Sequence, residues 1–143
     1  ISAQQLSWLE ETLATNKTKP TLIFFHAPLA GTLAQYNKEV NTPNFIAQPE
    51  KQLHELLMKN PQILLWVSGH THTPATNPSF DEAINLYGGK ILDLHNPTLD
   101  GKIIWTNSIY LYPDKISIRT FNHNTGEFVE SLDRTLTVNL AGK

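Results

Sequence analysis

Two histidines one residue apart, in Ser68-Gly69-His70-Thr71-His72-Thr73-Pro74, are the strongest chemical signal in the sequence. Neutral imidazole nitrogen is a good ligand for borderline divalent metals such as Zn, Mn, Fe and Co. Gly69 allows a sharp backbone turn without a Cβ clash, so both rings can reach one ion or two adjacent ions. With six histidines in the chain, an H-x-H pair arises by chance in roughly one such chain in five. The pair therefore gains weight only from its surroundings. These include a second run, Phe24-Phe25-His26-Ala27-Pro28, in which another histidine ends an apolar stretch.

The elements around these runs decide whether the histidines can meet. Ser2 and Gln5 have the spacing of a capping box, and Leu6, Leu9 and Leu13 recur at helical intervals, which predicts a helix over 3–15. The apolar run 21–25 after Pro20 suits a strand buried on both faces. Residues 27–47 carry Pro28, Gly31, Asn37, Asn41, Pro43 and Asn44 without a period and read as a long loop. Pro49 opens a helix whose Leu53, Leu56 and Leu57 form one stripe, and Asn60-Pro61 closes it. A second buried strand is expected over 63–68. Strand, helix, strand is a βαβ unit with parallel neighbours. Ligands of open α/β sheets collect beyond the carboxyl ends of the strands, where His26, His70 and His72 all fall.

From residue 90 onward helical spacing is lost. Strands are expected over 90–94, 103–107, 109–112, 116–121 and 127–132, with turns at Pro113-Asp114 and Asn124-Thr125-Gly126, so the last third reads as mainly antiparallel β. Residues 1–143 read as one domain without internal repeats. A net charge of −2 and a pI near 6.3 make nucleic acid and anionic membrane poor partners. The absence of cysteine removes disulfides, thiolate metal sites and a cysteine nucleophile, and leaves the compartment open. The apolar runs are far shorter than the ~20 residues of a membrane-spanning helix. No leader stands ahead of Ser2, and the natural start is expected upstream.

An apolar strand ending in H-x-P, a helix, a second apolar strand and then G-H-x-H resemble the last two motifs of the calcineurin-like metallophosphoesterases. The leading helix with Gln5 and Trp8-Leu9, and more loosely residues 110–115 and 119–126, resemble bacterial cyclic-nucleotide-phosphodiesterase-type members. This resemblance implies the C-terminal half of a four-layer α/β/β/α sandwich, with the βαβ unit in one sheet and later strands in or beside the second. It implies that His26 and His70 bind one ion and His72 the other, in a centre of two divalent ions (Mn, Fe or Zn). Two such ions ~3.5–4 Å apart activate the attacking water and clamp the phosphoryl oxygens of a small phosphate ester, here a phosphodiester. The D-x-H, G-D-x-x-D and G-N-H motifs that complete the family's site are absent from the sequence, so the catalytic residues are not in this chain. Asp81, Asp93 and Asp100 stand in the wrong contexts. The chain alone is expected to be inactive, to need the missing N-terminal half, and to pair with a second copy through exposed sheet edges. The rival reading is a non-catalytic metal-binding or interaction module.

Elsewhere the expectations are structural. His54 and His123 are expected at the surface, and His95, before Asn96-Pro97, is a weaker candidate for approach to the metal site by the same resemblance. Phe24, Phe25, Ile63 and Trp66 read as core, and Trp8 as packing its helix on the sheet. Thr71 and Thr73 are assigned no role.

Overall fold

The computed structural model describes residues 1–80, 82–99 and 102–138. Helix α1 (Ala3–Thr15) begins at the expected capping box: the Gln5 amide donates to Ser2 Oγ, and the Ser2 amide donates to Gln5 Oε1. Strand β1 (Thr21–Phe24) leads into the long loop, helix α2 (Glu50–Lys59) follows, and β2 (Ile63–Ser68) returns parallel to β1. The βαβ unit is therefore present as read from the sequence.

Beyond β2 lie two short 3₁₀ turns, Pro78–Phe80 and Ala83–Asn85, then β3 (Leu86–Tyr87) and β4 (Ile91–His95). The expected strand at 90–94 is β4, but it belongs to the first sheet, parallel to β2, not to an antiparallel C-terminal third. No helical pattern marks the crossover from β2 to β4, so its direction was not legible. The first sheet has the order β1-β2-β4-β3, with β3 antiparallel to β4. The second sheet is wholly antiparallel: β5 (Trp105–Leu111) and β6 (Lys115–Asn122) pair along their length, and β7 (Glu127–Phe128) and β8 (Arg134–Thr137) share the other side of β6. The strands expected at 103–107 and 109–112 are one strand, β5. The one expected at 127–132 is β7 followed by a 3₁₀ turn, Glu130–Leu132.

Two apolar clusters hold three layers together. Leu13 of α1 and Leu53, Leu56 and Leu57 of α2 pack with Ile63, Trp66 and Ile91 on one face of the first sheet. Leu65, Leu92 and Leu94 on its other face meet Ile116 and Ile118 of the second sheet. The result is α/β/β, a partial version of the expected four-layer sandwich.

Ile63 and Trp66 are core residues as expected, and Phe25 packs against their cluster, but two aromatic assignments need correction. Phe24 is 68% exposed. Ile23 and Phe25 point toward the helices, so alternation sends Phe24 to the opposite face, where the second sheet covers Leu22 but not Phe24. Trp8 is 64% exposed. It lies two residues from Leu6, on the far side of a helix with 3.6 residues per turn.

Trp66 has a second task. Its indole N–H donates to the Ala27 carbonyl at 3.0 Å, fixing the residue after His26. Trp66→Ala should lower unfolding free energy by about 3–5 kcal/mol, measured by chemical denaturation.

Candidate metal centre

The parallel pairing of β1 and β2 continues past both strands. Phe25 N donates to the Val67 carbonyl, and Gly69 N donates to the His26 carbonyl, each at 3.0 Å. The backbone of His26 is thus bound to the residue before His70. The side chains follow: His26 Nε2 and His70 Nδ1 are 2.9 Å apart, with ring centroids separated by 4.6 Å.

His70 Nε2 lies 3.2 Å from the Asn44 carbonyl, and Phe45 packs 5.2 Å from the imidazole, centroid to centroid. A carbonyl only accepts, so Nε2 carries the proton and the Nδ1 lone pair faces His26. Ligating histidines are held in this way, the second ring N–H bonded to a carbonyl. Two nitrogens 2.9 Å apart also have the spacing of neighbouring ligands on one ion with bonds of ~2.1 Å. The pair fits a divalent cation. Without one, the His26 Nε2 proton bridges the rings.

His72 does not join this pair. It is exposed and shares with His70 and Asn96 the wall of an open depression of about 470 Å³. Among the described residues no three His, Asp or Glu side chains gather closely enough to hold one ion.

The turn itself is strained. His70 has φ +65° and His72 φ +49°, two of the three non-glycine residues in the left-handed region among those described. Each costs about 1–2 kcal/mol in that conformation, and strain of this kind concentrates at functional sites. Alternation explains how it is held: Thr71 and Thr73, each following an outward histidine, are buried, with their hydroxyls 2.7 Å apart. The Tyr36 hydroxyl donates to the Thr71 carbonyl. The threonines anchor the turn from below. His72→Gly should therefore exceed His72→Ala in stability by about 1 kcal/mol, because only glycine is relaxed at this φ; paired urea melts measure the difference.

Sequence reasoning passed over Asp93. It is fully buried at the centre of β4 and accepts three hydrogen bonds: from Leu29 N at 2.7 Å and Thr32 Oγ1 at 2.8 Å on Oδ2, and from Ser68 Oγ at 2.7 Å on Oδ1. The available signal was an aspartate inside the apolar run Ile91-Leu92-Asp93-Leu94, where a charge is almost never buried without partners. Burial pushes its pKa up, opposed by the nearby His95 and the three donors. His95 is buried too, with Nδ1 3.1 Å from Ser68 Oγ and Nε2 3.0 Å from the Thr32 carbonyl. Burial lowers its pKa, against the pull of Asp93. Both its ring nitrogens are engaged within the core, so His95 does not reach the histidine pair.

The remaining candidates fall into place around these. The Asn96 amide donates to the Ser68 carbonyl and accepts from Asn107. His54 and His123 are exposed and bond Tyr87 and Thr106. Asp81 and Asp100 lie outside the described residues.

No family model and no curated protein matches the chain. Among solved structures, the chain resembles a dimetal phosphatase from Danio rerio, with a TM-score of 0.64 and 18% sequence identity. That match covers 97% of this chain and 39% of the phosphatase. The chain has a partial metallophosphoesterase-like fold, and its paired histidines stand at the carboxyl ends of two parallel strands in that fold's first sheet.

Proposed function

We propose that this chain contributes metal ligands to a phosphoesterase centre of two divalent ions, His26 and His70 to one ion and His72 to the other. The observation that carries the reading is the 2.9 Å approach of His26 and His70, with the second nitrogen of His70 held by a backbone carbonyl. The fold it shares with a dimetal phosphatase supports the same chemistry. When bound, the ions (Mn, Fe or Zn) would polarise the phosphoryl group and lower the pKa of the attacking water. The chain's own residues orient the imidazoles: Asn44 fixes His70, the Gly69 amide fixes the backbone of His26, and Thr71 and Thr73 hold the turn open toward solvent.

The substrate class is a small phosphate ester, a phosphodiester such as a cyclic nucleotide, as in the bacterial phosphodiesterases that the sequence resembles. The other ligands come from an N-terminal half of the same protein, so the 143 residues alone are inactive. Exposed Phe24 and the outer side of β1, at the edge of its sheet, support a covering element there, whether that half or a second copy.

One observation favours a second reading. Because no third ligand joins the pair among the described residues, a module that binds a metal without turnover also fits. Natural-length protein assayed with Mn²⁺ against bis-p-nitrophenyl phosphate and a cyclic nucleotide separates the two. Hydrolysis supports the phosphoesterase; metal uptake with no turnover of either ester supports the module.

A further inference from the structure

We propose that Asp93 is a positioning residue that sets the separation of His26 and His70. The inference rests on the reading that this pair holds a metal ion. Asp93 touches neither histidine, yet each of its three donors belongs to a segment that carries or supports one. Leu29 is three residues past His26, and its amide donates to Oδ2 at 2.7 Å. Ser68 is two residues before His70, and its hydroxyl donates to Oδ1 at 2.7 Å. Thr32, 2.8 Å from Oδ2, lies in the same long loop whose Asn44 carbonyl lies against His70. One rigid carboxylate on an inner strand of the first sheet thus ties together the two turns and the loop that orient the pair.

The chemistry of the site argues for this role over simple packing. A fully buried carboxylate is costly to desolvate, and an apolar side chain of similar volume would fill the same space at lower cost. The acceptor-only group draws a backbone N–H and two hydroxyls to fixed positions, which an apolar residue cannot do. His95 extends the arrangement, contacting Ser68 Oγ and the Thr32 carbonyl.

Asparagine can reproduce the geometry. Its oxygen can accept from Leu29 and Thr32, while its amide donates to Ser68 Oγ and the serine hydroxyl turns to His95 Nδ1. Leucine can make none of these bonds. The probe is Co²⁺, whose visible absorption reports nitrogen ligation, titrated at pH 7.5 into wild type, Asp93→Leu, Asp93→Asn and His26→Ala, with near-ultraviolet circular dichroism as the control for fold. Asp93→Leu is expected to lose about 10–100-fold in Co²⁺ affinity while Asp93→Asn stays within about threefold of wild type. A residue that only stabilises the core would lower the melting temperature and leave the affinity of the folded protein unchanged.

If Asp93→Leu does not fold, Ser68→Ala and Thr32→Val each remove one donor, and a weakened Co²⁺ spectrum in Ser68→Ala is the expected result. Affinity equal to wild type in folded Asp93→Leu, or in both single-donor variants, overturns the positioning role alone. Wild type that takes up no more Co²⁺ than His26→Ala overturns the metal-site reading, and this inference with it.

Discussion

His70→Ala and His26→Ala are each expected to reduce phosphodiester hydrolysis by the natural-length protein by at least two to three orders of magnitude. A metal acting as Lewis acid lowers the barrier by several kcal/mol, and each ~1.4 kcal/mol is a factor of ten in rate. His70 should be the more sensitive position, because it is held by Asn44, Phe45 and His26 together. The His70→Ala protein should keep its melting temperature or gain slightly, since a left-handed backbone is strained for either residue and the histidine is only half-buried. Steady-state kinetics at saturating Mn²⁺, beside a thermal melt, checks both. Loss of activity with an unchanged melt is the signature of a ligand. Activity retained within a few-fold would remove His26 and His70 from the centre.

The second large effect concerns acid stability. Burial lowers the pKa of His95, so between its folded value and about 6.5 the unfolded chain binds the extra proton and stability falls as pH falls. Burial raises the pKa of Asp93. Between about 3.8 and that raised value the folded protein binds the extra proton, and stability rises as pH falls. The two contributions oppose each other where their windows overlap, so wild type should lose less stability in mild acid than His95 alone would dictate. Asp93→Asn removes one side of this balance and also the charge that held the His95 pKa up. Between the lowered folded value of His95 and about 6.5 the variant should lose up to about 1.4 kcal/mol per pH unit, more than wild type, seen in urea denaturation at pH 7.5, 6.5, 5.5 and 4.5. Parallel curves for wild type and variant would show that His95 and Asp93 do not titrate as described.

Much of this molecule can be read from its residues because local signals agreed with the fold. The capping box at Ser2, the stripe of α2 and the two apolar strand runs all gave their elements, and strand-helix-strand connectivity placed His26 beside His70. What escaped depended on tertiary context. A five-residue strand at Ile91–His95, with Asp93 set among apolar residues, carries no direction, so its parallel pairing with β2 was invisible. Phe24 is apolar inside a strand, and only the extent of the second sheet leaves it exposed. The long loop lacks a period, yet Tyr36 and Asn44 fasten it to the GHTH turn, and Thr32 fastens it to His95 of β4, through hydrogen bonds that no spacing rule encodes. The role of Asp93 emerged only when three donors, one 25 residues away in sequence and two more than sixty, were seen to converge on it. His72 marks the opposite limit: its motif is as clear as that of His70, but among the described residues no group of three His, Asp or Glu side chains forms around it.

The central claim is that His26 and His70 share an ion. Crystals grown with Mn²⁺ and measured near the manganese absorption edge test it directly. The expected result is an anomalous peak ~2.1–2.3 Å from both His26 Nε2 and His70 Nδ1. Rings still hydrogen-bonded to each other at saturating Mn²⁺, with no peak between them, would contradict it.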